Sequence, residues 1–314
     1  MKPILPDWQT VTAQYARYRT RLCQADERLA ARLRAGRMER VAFSALSHAY
    51  DLLLLDAFGV LNRGQEAIAG AAATLERLRD RGQNFLVVSN NASQSPARVA
   101  QQLGSMGLAI PPEAIVTSGM AVRPSLAHSP WRDWPYYLVG TPDSKAAYAP
   151  DPERLCVNDR TGAGWQAARY IILCSNRDYY GTRQQAQVEH LLARQRLPIL
   201  LANPDLVAPA TGGDLAVVAG YTAAEWITRY HCDWIGLGKP FAPLYALVRE
   251  RFPAISPQRI LMVGDTLETD ILGGAAQGWD TCLTLSGVSA SEALATVCNQ
   301  REIRPDFVVQ SIAT

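Results

Sequence analysis

The sequence predicts an α/β architecture: an open, doubly wound parallel sheet with a second, smaller α/β module inserted into it. Three observations carry this expectation. From residue 51 onward, short apolar runs alternate with amphipathic stretches of helical period, the pattern of successive βα units. The runs stop abruptly at polar residues, as strands do when they deliver side chains to the crevice at the carboxyl edge of such a sheet. A further group of strand-like runs fills the middle third of the chain, between about residues 130 and 232.

Taken in order, the chain opens with a segment over 7–47 in which Val11, Tyr15, Tyr18, Leu22, Leu29 and Leu33 recur at helical spacing, so it reads as helix. Arg17, Arg19, Arg21, Arg28, Arg32, Arg34, Arg37 and Arg40 make it locally basic, which fits a solvated face beside a packing or subunit surface. Buried strands are expected at 52–55, 85–88, 260–263 and 281–285, with helices at 67–81, 95–106, 243–251 and 269–277. In the middle third, runs at 136–139, 170–174 and 199–202 read as strands of the inserted module. The expected organisation is therefore an N-terminal helical extension over 1–47, a core domain over 48–130 and 233–314, and the inserted domain over 131–232. Trp226 and Trp234, near the return from insert to core, read as packing residues on the hinge side.

Composition narrows the function classes. The 314 residues are 48% apolar and 19% charged, enough for two cores, and Lys plus Arg exceed Asp plus Glu by only two, 31 against 29. That balance gives no reason to expect nucleic acid or an anionic membrane as partner, and points to a small molecule instead. The six cysteines, Cys23, Cys156, Cys174, Cys232, Cys282 and Cys298, form no CxxC pair, so reduced thiols, a cytoplasmic location and no zinc site are expected. The leucine run that begins at Leu52 ends at Asp56, far short of the roughly 18–20 apolar residues a membrane span needs.

The chemistry lies in the polar residues at the strand ends. The run 52–55 ends in Asp56; 85–88 ends in Ser89-Asn90-Asn91; 234–238 leads into Lys239; and 260–263 ends in Gly264-Asp265. A carboxylate, a hydroxyl with amides, an ammonium and a second carboxylate converging on one crevice suit phosphoryl transfer. Asp56 can attack phosphorus, Asp265 can share a hard Mg²⁺ with it, Ser89 and the amides after it can hold phosphate oxygens, and Lys239 can offset their charge.

In this order the motifs closely resemble the haloacid dehalogenase (HAD) superfamily, and within it the NagD-like subfamily IIA. The resemblance runs from DAFGVLNRG at Asp56 through SNN at Ser89, NPD at Asn203, GLGKP ending at Pro240, VGDTLETDILGG from Val263 and LSGV from Leu285, over about residues 51–312. It implies a Rossmann-like core, Asp56 as the nucleophile that forms an aspartyl phosphate, and Ser89, Asn90 and Asn91 at the phosphate. It also implies Lys239 as electrostatic stabiliser, Asp56, Asp265 and the backbone carbonyl of Phe58 as Mg²⁺ ligands, and Asp270 as a carboxylate holding the metal's water shell or Lys239. Because 33 residues separate Asp56 from Ser89 while 150 separate Ser89 from Lys239, the cap is of the second (C2) type. Arg177, Asp178, Asn203 and Asp205 are the cap candidates to reach the site, with ordinary loop structure as the alternative for each. In this subfamily, self-association through the cap is frequent, and the N-terminal helix offers a second surface for it.

One position departs from the pattern. Phosphatases of the superfamily normally carry Asp two residues after the nucleophile, as general acid and base; here it is Phe58, which can be neither. General acid–base catalysis is worth about 10² to 10⁴ in rate, so weak turnover or a restriction to good leaving groups is expected. Three readings stay open: a Mg²⁺-dependent phosphohydrolase acting on a small phosphorylated metabolite, a catalytically impaired phosphate-ligand binding or regulatory protein, and another chemistry of the superfamily. Of the last, halide release has no use for a metal yet Asp265 and Asp270 are present, and phosphonate cleavage would need a cap lysine, for which Lys145 is the candidate.

Overall fold

The computed structural model describes residues 5–127, 129–155, 164–209, 215–287 and 294–314. Its centre is a seven-stranded sheet in the order Glu39–Arg40, Phe307–Val309, Asp280–Thr284, Ile260–Gly264, Leu52–Leu55, Asn84–Ser89, Ile115–Thr117, with every neighbouring pair parallel. The four leucines of the central strand explain why it reads as continuous apolar rather than alternating. Leu52 and Leu54 enter the apolar cluster on one face and Leu53 and Leu55 the cluster on the other, all four fully buried. Each such burial stabilises by roughly 1.5–3 kcal/mol, and a strand covered on both faces has no polar side to show.

The expected elements are present with shifted ends. The four core strands lie where predicted to within one residue; the helices settle at Ala71–Asp80, Pro96–Ser105 and Ala242–Arg251. The predicted helix over 269–277 is a π-turn, Leu267–Ile271, that runs into a short α-helix, Leu272–Ala276. Pieces that escape the apolar pattern include the edge strands Ile115–Thr117 and Glu39–Arg40, the hairpin that pairs Asn62–Arg63 with Glu66–Ala67, and the antiparallel pair Val207–Pro209 with Leu215–Val217.

The middle third forms a second parallel sheet, ordered Trp234–Gly236, Ile199–Leu201, Tyr170–Leu173, Tyr136–Val139. Its face bearing Tyr137, Val139, Ile171 and Leu173 packs on its own helices, Arg183–Gln195 and Ala219–Tyr230, with Trp226 in that cluster. Its other face, with Tyr136, Leu138, Tyr170 and Ile172, joins the core domain's cluster. One expectation is corrected here. The strand leading to Lys239 pairs with Ile199–Leu201 as the edge of the second sheet, not with the core, so that sheet extends past the expected boundary at residue 232. Trp234 also packs against Phe241, 5.4 Å between ring centroids.

The N-terminal segment is also more than one helix. Asp7 caps Trp8–Ala25 by accepting from the Gln9 and Thr10 amides, and Asp26 ends that helix and caps the next, Glu27–Ala35, by accepting from Arg28 N–H. The chain then contributes the edge strand Glu39–Arg40 to the core sheet, so the extension over 1–47 is partly core. Val11, Tyr15, Tyr18, Leu29 and Leu33 form the buried stripe that the spacing predicts. No helix among the described residues is long and apolar enough to cross a membrane. Five cysteines are free thiols and Cys156 lies outside the described residues; burial pushes the Cys174 thiol up to about 12, which suits a packing role.

Candidate active site

The site forms where the central strand and its two neighbours end at one level. Leu55 stands opposite Val263 on one side and Val87 on the other, so Asp56, Ser89 and Asp265 leave the sheet together. Asp56 continues the ladder by donating its N–H to the Val263 carbonyl, 2.9 Å, and its Oδ1 accepts from its neighbour Ala57 N–H, 2.8 Å. Lys239 arrives from the second sheet's last strand and its ammonium bridges two carboxylates, 2.6 Å to Asp56 Oδ1 and 2.7 Å to Asp270 Oδ1. Lys239 is 1% exposed and Asp270 0%.

Burial works against the Lys239 charge, but Asp270, Asp56 and Asp205 outweigh it and hold the ammonium protonated far above its ordinary range. Burial likewise pushes the Asp56 carboxyl upward while Lys239 pulls it back. A buried ammonium with two carboxylates in hydrogen-bond contact is a pair-plus-one whose members each need the others; removing one would leave an uncompensated buried charge.

Asp265 is held by a tight backbone fit. Its Oδ1 accepts from Thr266 Oγ1, 3.0 Å, and a Cβ on Gly59 or Gly287 would fall 2.1 or 1.9 Å from its Oδ2. Gly59 also has φ +78°, which only glycine adopts without strain, and its carbonyl accepts from Ser286 Oγ, 2.7 Å. Oxygen atoms of Asp56, Asp265 and Asp270 lie within 4.8 Å of one another, an all-oxygen grouping that fits a hard divalent cation. Asp270 Oδ1 accepts from the Lys239 ammonium, 2.7 Å, and its Oδ2 from the Thr266 N–H, 3.1 Å.

The Ser89-Asn90-Asn91 triplet divides in two. Ser89 and Asn91 line the crevice, with Ser89 Oγ accepting from Asn91 N–H, 3.2 Å. Asn90 lines the crevice as well, with its side-chain amide engaged in hydrogen bonds. Its Nδ2 donates to Asp205 Oδ1, 2.7 Å, and the Lys239 carbonyl, 3.0 Å; its Oδ1 accepts from Lys239 N–H, 2.7 Å; and its carbonyl accepts from Ser118 Oγ, 2.9 Å. With its side chain occupied, what Asn90 can offer a phosphate is its backbone amide. The side chain is a clasp that joins the second strand end to the lysine loop and to the cap, 149 residues on in sequence.

Above these groups opens a crevice of about 630 Å³ whose cap side carries Arg177, Asp178, Asn203 and Asp205, the four cap candidates. Burial pushes the Asp205 carboxyl up to about 6, against the Lys239 charge and the Asn90 hydrogen bond. Phe58 lines the core side and also packs on the apolar cluster beneath. Lys145 sits on the cap helix Pro142–Tyr148, apart from the described residues that line the crevice. Val288 of the LSGV motif lies outside the described residues. Sequence reasoning missed Tyr15, which reaches the crevice from the first helix, and Asn176 beside Arg177. The helical period of the N-terminal segment marked Tyr15 as buried, but only the packing of that helix shows what it faces.

Comparison with known proteins agrees with this geometry. Residues 53–149 match the family described as haloacid dehalogenase-like hydrolase, and residues 236–314 the family described as HAD-hydrolase-like, so the first helices lie ahead of both. A glycerol-3-phosphate phosphatase of Rattus norvegicus is 31% identical over 298 residues, covering 84% of this chain and 89% of that protein. A structure from Cytophaga hutchinsonii, described as a possible sugar phosphatase of the HAD superfamily, superposes with a TM-score of 0.76 at 27% identity, over 88% of this chain and 99% of that one. NagD from E. coli shares the fold, with a TM-score of 0.67 at 22% identity over 84% and 97% of the two chains. With the carboxylate-bearing loop, the buried lysine bridge and the parallel-sheet cap all in place, the chain belongs to the haloacid dehalogenase superfamily of hydrolases.

Proposed function

We propose that this hydrolase is a Mg²⁺-dependent phosphatase that removes phosphate from a small phosphorylated metabolite through an aspartyl phosphate on Asp56. The observation that carries the reading is the Lys239 ammonium held between Asp56 and Asp270 at the floor of the crevice, beside Asp265. The relatives named as phosphatases support the substrate class. Asp56, Asp265 and the Phe58 backbone carbonyl are the groups suited to hold the cation. When bound, it draws charge from the phosphoryl oxygens and so makes phosphorus easier to attack.

The protein's own residues supply the rest. Ala57 N–H and Lys239 fix Asp56 by Oδ1, which fixes the direction in which the carboxylate attacks. A carboxylate lone pair forms the new bond to phosphorus, and the bond from phosphorus to the leaving oxygen breaks with its electron pair on that oxygen. Water then attacks phosphorus, returning Asp56 to its carboxylate and releasing inorganic phosphate. Ser89 and the Asn91 side of the triplet face the phosphoryl group, and Lys239 offsets the charge of the intermediate. Phe58 offers no proton to the leaving oxygen, so the oxygen must be stable as an anion or take its proton from water. The missing step is worth roughly 3–5.5 kcal/mol, or about 10² to 10⁴ in rate.

The binding-only reading has one observation in its favour, the partly buried Phe58 ring packed at the position where an acid would act. A single set of assays separates the two. With Mg²⁺ present, the wild type should release phosphate from p-nitrophenyl phosphate and more slowly from alkyl esters, Asp56→Asn should stop release while keeping phosphate affinity, and Phe58→Asp should raise alkyl-ester turnover. Phosphate binding without release from any ester would favour the binding protein. Equal rates for aryl and alkyl esters would remove the role given to Phe58.

A further inference from the structure

The proposed reaction makes no use of one feature of the crevice, that the first helix reaches it. Tyr15 lines the crevice wall that Asp56, Ser89 and Asp205 also line, although it belongs to a segment that precedes the family core. Its hydroxyl accepts from Leu206 N–H, 3.4 Å, immediately after the Asn203-Pro204-Asp205 corner of the cap. Its ring is 6% exposed and meets Tyr18 edge-on, 5.9 Å between centroids.

The helix that carries Tyr15 is anchored on both sides of the cap–core junction. On the cap side, Tyr18 OH donates to the Pro204 carbonyl, 3.0 Å, and Asp7 N–H donates to Tyr221 OH, 3.2 Å. At the junction, Arg21 donates to the Trp234 carbonyl, 3.0 Å, with its guanidinium 4.4 Å above that ring. On the core side, Val11, Tyr15 and Tyr18 share one apolar cluster with Phe241, Leu267, Ile271 and Leu272. A side chain held this way cannot swing out of the crevice when a ligand enters.

We propose that Tyr15 is a specificity-determining residue, a fixed wall supplied by the N-terminal helix that limits the bulk of the group attached to the substrate's phosphate. The proposal rests on the crevice being the substrate site, as the proposed function has it. Tyr15 meets Leu206 on the cap loop rather than the Asp56–Lys239–Asp270 cluster, so it bears on the organic part of the ligand and not on the phosphoryl end. The neutral phenol is also the appropriate chemistry: burial first, then the Asp205 and Glu268 charges, keep it protonated well above its ordinary range. The wall is apolar with one hydroxyl and carries no charge of its own.

The test measures binding, so that it does not depend on turnover. Affinities of ethylphosphonate and naphthylmethylphosphonate, which cannot be hydrolysed, and of inorganic phosphate are measured by calorimetry with Mg²⁺ for the wild type, Tyr15→Leu and Tyr15→Ala. Opening the wall should shift the naphthyl-to-ethyl affinity ratio by about tenfold toward the larger ligand, with phosphate affinity unchanged within about twofold. Tyr15→Leu serves if Tyr15→Ala does not fold. An unchanged ratio in a folded variant, or equal losses for all three ligands, overturns the proposal. Failure of the hydrolase reading would appear separately, as absence of phosphate release by a wild type that still binds these ligands.

Discussion

At Asp205, burial pushes the carboxyl up to about 6 from an ordinary 3.8, while Lys239 and the Asn90 amide act in the opposite sense. Between those two values the folded chain binds a proton that the unfolded chain has lost, so this group's contribution to stability falls as pH rises from about 4 to about 6 and is level above that. The span corresponds to at most about 3 kcal/mol. Asp205→Asn keeps an oxygen acceptor for Asn90 Nδ2 and removes the titration. The difference in urea midpoint between pH 4.5 and pH 7 should therefore change, with the variant gaining relative to wild type at the higher pH. The same pH slope in both proteins would mean that the carboxyl is ionised throughout. Asn90 shows where residue-scale reading stops. The sequence places it next to Ser89 after a strand, which is correct, but its side chain answers to Lys239 and Asp205, partners far along the chain that no local pattern reveals.

Strands and loops are more legible than single side chains, because burial on both faces of the central sheet writes itself as apolar runs. Leu52–Leu55 and Ile260–Gly264 are such cases. The strand Trp234–Gly236 is legible as a strand but not as to which sheet takes it, since pairing with Ile199–Leu201 is decided by tertiary packing. The loop after Leu55 has a requirement that can be tested. Gly59 has φ +78° and lies so close to Asp265 that a Cβ would sit 2.1 Å from Oδ2. Gly59→Ala must therefore both strain the loop, by about 1–3 kcal/mol, and displace the Asp265 carboxylate. Mg²⁺ affinity measured by calorimetry should fall by about 10- to 100-fold, with thermal stability lowered as well. Wild-type Mg²⁺ affinity in this variant would show that Asp265 does not hold the metal.

On the scale of the whole molecule, the two sheets are foreseeable from the apolar runs and the bond between them is not. The basic residues of the N-terminal segment read as a solvated face, yet Arg17 and Arg21 reach across to Thr228 and to Trp234, and the buried stripe of the same helix joins residues of both sheets' domains. Tyr18 is the centre of that joint. It is fully buried, donates to the Pro204 carbonyl, and meets Trp234 and Phe241 at 5.5 and 5.1 Å between ring centroids. Losing a buried ring of this size costs about 3–5 kcal/mol, and here the loss falls on the contact between cap and core rather than inside either. Wild-type cap strands Tyr136–Val139 and Ile199–Leu201 should exchange their amide hydrogens together with core strands Leu52–Leu55 and Ile260–Gly264 as urea is raised, in one cooperative unit. In Tyr18→Ala the cap strands should open at lower urea than the core strands. Coincident opening in the variant would mean that the shared cluster formed by the sheet faces themselves, around Tyr136, Leu138 and Leu244, couples the two without help from the helix.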